Sequence, residues 1–306
     1  MKKRMVLGGK NRDMMRNSKA GKNTGRAVCT VLALCAALLL TACAGENRTA
    51  EQTEQNEDWL AQRVNRDRRT KHDLRTEPED MEKTEQVDLN ACEAGRVVLS
   101  GSDIWLSGSL EGQVVIDAEE DELVHLYLAG VEITSPNGPA LCVQEAVKVV
   151  VTLVSDAENV LADSPDYTGY EEMQACLYSV CDLTINGSGA LQVFGYHEDG
   201  IRSRDRIKVL DGILLVQAKG DGIRGSDGIY MQRAFVSVES EKNGLRTVNQ
   251  GAADRGVIEI DGGVLSVIAG KNGICAAADA YVYHGRCSLN AVEETVKAEG
   301  TAYIAE

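Results

Sequence analysis

Aromatic side chains are scarce in this chain of 306 residues: Phe, Trp and Tyr together make up 4%. A broad platform of exposed rings is excluded, so Trp105, Tyr170, Tyr178, Tyr196, Tyr230, Tyr281 and Tyr283 have to be weighed one at a time. No Cys-x-x-Cys pair is present and the four histidines are scattered, which excludes a zinc module of the usual spacing. Clustered cations are missing as well. The net charge is −15, and −23 once residues 1–42, with nine basic groups and one acidic group, are set aside. Such an excess of acid excludes nucleic acid as a partner. The long apolar run, Ala27 to Leu40, has 14 residues, too few to cross a bilayer comfortably.

That short run has a clear meaning in its context. Lys2, Lys3, Arg4, Lys10, Arg12, Arg16, Lys19, Lys22 and Arg26 precede it, and Leu40-Thr41-Ala42-Cys43 ends it. A basic region, a short apolar core and small residues before the cut are the secretory pattern. The ending resembles a bacterial lipobox, which implies a signal peptide over 1–42 and lipidation of Cys43, hence an extracytoplasmic, membrane-anchored protein. Residues 43–86 are polar and charged with almost no apolar periodicity, and are expected to form a flexible tether. Residues 87–306 are left as one domain, expected to be monomeric. Its six cysteines, Cys92, Cys142, Cys176, Cys181, Cys275 and Cys287, admit disulfides in that compartment but equally well fill a core.

A repeat organises the domain. Asp-Gly-Ile-Arg occurs at Asp199–Arg202 and Asp221–Arg224, and Asn243-Gly244-Leu245-Arg246 and Asn272-Gly273-Ile274-Cys275 continue the series. The first two steps are 22 residues and the third is seven longer, the extra residues falling around Asn249–Arg255. Between the motifs lie short alternating runs such as Ile213–Ala218 and Phe235–Val238, bounded by glycine turns and too short for helices. The expected fold is all-β, a single-stranded parallel β-helix in which coils of roughly 22 residues stack. Ile201, Ile223, Leu245 and Ile274 then form one inward column, and Val216, Val238 and Val267 another.

The run Asp182-Leu183-Thr184-Ile185-Asn186-Gly187-Ser188-Gly189, followed by both Asp-Gly-Ile repeats, resembles a bacterial secreted family of carbohydrate-binding domain-containing proteins. The likeness extends from about Val97 to Leu289. It implies a right-handed parallel β-helix of the pectate-lyase kind that binds calcium and acidic plant polysaccharide of the polygalacturonate type, without established catalysis.

Stacking places equivalent residues about 4.8 Å apart, which defines the candidate sites. Asp199 and Asp221 form one acidic ladder, and Asp205 and Asp227 a second. With Glu198 beside Asp199, these are the candidate calcium ligands, since calcium takes six to eight oxygens and relieves the repulsion of stacked carboxylates. Asp or Asn before Gly is also ordinary turn chemistry. Arg202, Arg224 and Arg246 form a third ladder that points outward and suits the carboxylates of a uronic acid chain, because guanidinium groups bind carboxylates bidentately. Tyr196, beside His197 in the turn before Asp199, is the candidate ring for a sugar face. The expected function is therefore non-catalytic binding of an acidic polysaccharide at the cell surface, with calcium assisting. Two other classes remain open: a polysaccharide lyase of the pectate-lyase type, and a surface scaffold or adhesin with a protein partner.

Overall fold

Residues 68–251 and 255–305 are described in the computed structural model, and all lie in one compact unit. Among them are 22 strands and one short 3-10 turn, Leu89–Ala91. Most strands are short because glycines and acidic turn residues interrupt the apolar runs before they can become helices, whereas Asp103–Asp117, Leu123–Thr134, Val257–Ala269 and Ala280–Ala291 run on for 12–15 residues. Strand Asp199–Ser203 pairs in parallel with Ala175–Ser179 on one edge and Ile223–Gly225 on the other.

The all-β class holds, but the open right-handed β-helix is corrected: the strands close into a parallel barrel of ten strands with extra strands joined to it. A period fixes which residue stands beside which, and that part is met residue for residue. It does not fix how the ladders close around the interior. Closure follows from edge use, since an unpaired strand edge is a liability that a barrel removes. Strand Ala190–Gly195 has both edges used, pairing with Glu158–Ala162 on one side and Ile213–Ala218 on the other.

The core lies inside these ladders. Leu141, Leu177, Ile201, Ile223, Leu245 and Ile274 stand in register and are all buried. Leu161, Val193, Val216, Val238 and Val267 form a second buried column, and Leu183, Ile207, Ile229 and Ile258 a third. Each such side chain contributes about 1.5–3 kcal/mol by leaving water.

The glycine of the Asp-Gly-Ile motif serves this packing. A Cβ on Gly222 would lie 2.1 Å from Val238 Cγ1 and 2.7 Å from the Gly244 carbonyl oxygen. Gly200 and Gly244 meet Val216 and Val267 in the same way. The glycine recurs because a valine of the adjoining column fills the space a side chain would need.

Residues 1–67, including the leader, Cys43 and much of the expected tether, lie outside the described residues. The part of that tether which is described, 68–86, is not free chain: 68–84 form a strap, and residues 85 and 86 begin a strand. Asp73 is fully buried against the outer face of the sheet, where Lys208 Nζ donates to its carboxylate at 2.9 Å and Thr184 Oγ1 at 2.5 Å, with Lys148 as a further donor. Asn186 Nδ2 holds the backbone carbonyls of Asp73 and Arg75 at 2.8 and 2.9 Å. Arg68 pairs with Glu259 at 2.7 Å and Arg75 with Asp103, so this strap crosses several repeats. Strand Glu85–Asp88 then joins the sheet beside Ile104–Ser107.

Candidate functional site

The motif repeats build two adjoining columns. In the first, Asp199, Asp221, Asn243 and Asn272 are buried and joined by hydrogen bonds that all run one way. The Asp221 N–H donates to Asp199 Oδ1 at 2.8 Å, and the Asn243 N–H and Nδ2 donate to Asp221 Oδ1 at 3.1 and 2.7 Å. Asn272 Nδ2 donates to Asn243 Oδ1 at 2.9 Å. Burial first, and the Asp221 charge second, push the Asp199 carboxyl up to about 6.

The second column is the row of arginines. Arg202, Arg224 and Arg246 stand in register on successive strands, with Tyr178 before them and Cys275 after. Each of the last two pairs with the acid of the preceding repeat: Arg224 with Asp199 at 3.7 Å and Arg246 with Asp221 at 3.2 Å. Arg202 breaks this rule, because its preceding repeat carries Ala175 in the acid's place. Among the described residues no carboxylate forms a close ion pair with Arg202, although Asp199 of its own repeat attracts it at longer range, and its Nε, like that of Arg224, is buried without a hydrogen-bond partner. Burial, then the neighbouring Arg202, lowers the proton affinity of Arg224. Three guanidinium groups one strand spacing apart repel one another, and an anion laid along them relieves that repulsion.

Aromatic residues gather at the start of this row. Tyr196 is 47% exposed and stacks on Phe194 at 6.0 Å between centroids, while His197 stacks on Tyr167 at 4.0 Å. Asp163 fixes the corner by accepting from Tyr167 Oη at 2.7 Å and from the Tyr196 N–H at 2.5 Å. Met173, from the same loop, packs with Tyr178, Val115 and Cys142. The 22-residue repeat, which begins at Asp199, does not reveal Tyr178 as a member of the row. The run Leu177-Tyr178-Ser179 parallels Ile201-Arg202-Ser203, but at a spacing of 24 rather than 22.

The five candidate calcium ligands are brought together only in pairs, Asp199 with Asp221 and Asp205 with Asp227. Asp199 and Asp205 flank opposite ends of strand Asp199–Ser203, so the two acidic ladders occupy different corners. Glu198 pairs with Lys242 at 2.6 Å, and Asp227 with Arg255 at 3.2 Å and with Asn249. Burial, then Asp182 and Asp227, push Asp205 up to about 6. Among the described residues no group of three or more His, Cys, Asp or Glu side chains could hold a metal. The partners of Asp199, Asp221 and Asp227 are N–H donors and guanidinium groups, the opposite of the oxygen shell a calcium ion needs. These residues do not fit the ion. The six cysteines of the domain are free thiols, Cys142 and Cys176 being buried among apolar neighbours.

A closed parallel β-structure with an ordered row of arginines on its outer face has the makings of a binding module. The family model of the carbohydrate-binding domain-containing proteins matches residues 96–304, and the chain belongs to that family. A carbohydrate-binding domain-containing protein of Acetivibrio thermocellus is 25% identical over 201 residues, covering 64% of this chain and 70% of the relative. A solved structure described as the polysaccharide lyase-like protein from C. thermocellum, a gadolinium derivative, superposes with a TM-score of 0.65 at 25% identity. That match covers 72% of this chain and 88% of the other. Polysaccharide binding is thus the function that the family supports, and every residue of the arginine row lies within the matched span.

Proposed function

We propose that the chain binds an acidic polysaccharide of the polygalacturonate type along Arg202, Arg224 and Arg246, without catalysis, from a lipid-anchored position at the cell surface. The observation that carries this reading is the unpaired Arg202 at the head of an ordered arginine row. On a chain of net charge −15, a polyanion needs local cations, and a row in register offers them at regular intervals. Arg224 and Arg246 each keep part of the guanidinium fork available beside their Asp, since their side chains are 23% and 37% exposed. Tyr196 offers a ring at the same end. Calcium has no part in the proposal, because the acids beside the row do not fit it.

The test is retention on polygalacturonate against an uncharged glucan. Arg202→Ala is expected to weaken polygalacturonate binding by about 10- to 100-fold, the worth of a charge-assisted pair of about 1.5–3 kcal/mol. Equal retention of variant and wild type would overturn the assignment. The solved neighbour is called polysaccharide lyase-like, whereas the regular arginine row of this chain offers no uniquely placed base for such chemistry. Release of unsaturated uronide from polygalacturonate would refute the non-catalytic part.

A further inference from the structure

The strap of residues 68–84 covers a second set of cations on the outer face of the sheet. Thr184, Lys208, Tyr230 and Glu259 stand in one column there, with His125 two repeats before Thr184. Lys148, a neighbour of Asp182 in the ladder, reaches the same point. Two ammonium groups and a hydroxyl, each on a different strand, converge on the Asp73 carboxylate. The acid is charged here, since those bonds hold its proton affinity well below the usual carboxylate range against the effect of burial. One positive charge is left over.

Three observations separate this clamp from ordinary packing. Lys148, Thr184 and Lys208 lie within residues 96–304 that match the family, whereas the strap precedes them. The larger apolar side chains of the strap, Leu74 and Met81, are 48% and 50% exposed, so polar contacts hold it down and another polar chain can replace it. Under the strap His125 is 2% exposed, and neither ring nitrogen has a hydrogen-bond partner. The closed arrangement therefore leaves a buried polar group unsatisfied, which is costly.

We infer that Lys148, Thr184 and Lys208 form a second carboxylate-binding site for a uronate-bearing chain, occupied in this structure by Asp73 as an internal ligand. The ligand class rests on the reading of the arginine row, but none of the residues is shared, so removing the row leaves this site to be tested by itself. Because the site is filled in cis, the apparent affinity for an external chain is reduced by the fraction of molecules with the strap released.

The experiment uses the full chain carrying Arg202→Ala, Arg224→Ala and Arg246→Ala, which removes the first site, and hexagalacturonate as the probe. Adding Asp73→Asn is expected to tighten hexagalacturonate binding at least tenfold, and a further Lys208→Met to abolish the gain. A folded Asp73→Asn protein with no gain would overturn the inference. Should that variant not fold, hydrogen exchange in the parent protein decides. Faster exchange of residues 70–75 on adding hexagalacturonate supports displacement of the strap, and unchanged exchange at saturating probe refutes it.

Discussion

Asn243→Asp tests why the ladder changes from acid to amide along the series. Asn243 is 4% exposed and its Nδ2 donates to Asp221 Oδ1, while its own Oδ1 accepts from Asn272. Aspartate keeps the size and removes the donor. The lost bond, made to a charged acceptor, is worth about 1.5–3 kcal/mol. A second carboxylate one strand spacing of about 4.8 Å away adds repulsion of about 3.5 kcal/mol at an effective dielectric of about 20. Proton uptake caps the electrostatic part: raising a carboxyl from about 3.9 to 7 costs about 4 kcal/mol, and from about 3.9 to 5 about 1.5 kcal/mol. The variant is therefore expected to lose about 5–6.5 kcal/mol relative to wild type at pH 7, where the repulsion lies below the cap, and about 2 kcal/mol less than that at pH 5, where the cap applies. The sign follows from linkage, since the folded variant binds a proton that the unfolded chain has released, so its deficit shrinks as pH falls. Urea unfolding of both proteins at the two pH values measures this. A variant as stable as wild type at pH 7, or a deficit that grows on acidification, would refute the ladder as the reason for asparagine.

Gly222→Ala is expected to cost about 1–3 kcal/mol by overpacking against Val238, and Val238→Ala in the same chain to recover part of it, a coupling that thermal unfolding of the single and double variants reveals. Lys242→Met, which breaks a half-exposed pair with Glu198, is expected to change stability by under about 1 kcal/mol. Acid should loosen the strap. His125 is pushed down to about 3 by burial, then by Arg75, His72 and Lys148, and Asp73 is also held low. Both groups therefore take up protons more readily when the strap is off. Docking stability is expected to fall as pH drops below about 6.5 for His125 and below about 3.8 for Asp73, and hydrogen exchange of residues 70–75, corrected for its intrinsic pH dependence, should rise accordingly. His125→Phe should flatten the upper part of that profile, and an unchanged profile would place the effect elsewhere.

Register was legible because a 22-residue period in a β-rich chain assigns each residue its neighbour. Ile201, Ile223 and Leu245, and Arg202, Arg224 and Arg246, stand where the repeat put them. Closure was not legible, since a repeat length says nothing of how the last edge is used. The role of the motif's acid was hidden for a related reason. Stacked carboxylates suggest a metal cation, but the cation here is Arg224 or Arg246, supplied by the next repeat of the motif itself. Charge balance within the repeat also explains why Arg202, whose preceding repeat offers Ala175, is the arginine without a close ion pair and feels only Asp199 of its own repeat at longer range.

The strap shows a deeper limit. Residues 68–84 have no apolar periodicity, and composition alone makes such a segment a tether. Burial of Asp73 depends on Lys148, Thr184 and Lys208, which are 75, 111 and 135 residues away and are themselves outward-facing positions of strands. Each of those residues has an ordinary local reading as a solvated strand face. Only their convergence makes a carboxylate clamp, and convergence is a property of the ladders, which bring positions 148, 184 and 208 to one place. A polar segment can therefore be firmly docked without any hydrophobic pattern, provided that the surface beneath it carries charges in register. The same reasoning makes it displaceable: a contact held by charge is open to a competitor with more charge, and a uronate chain carries one carboxylate on every sugar.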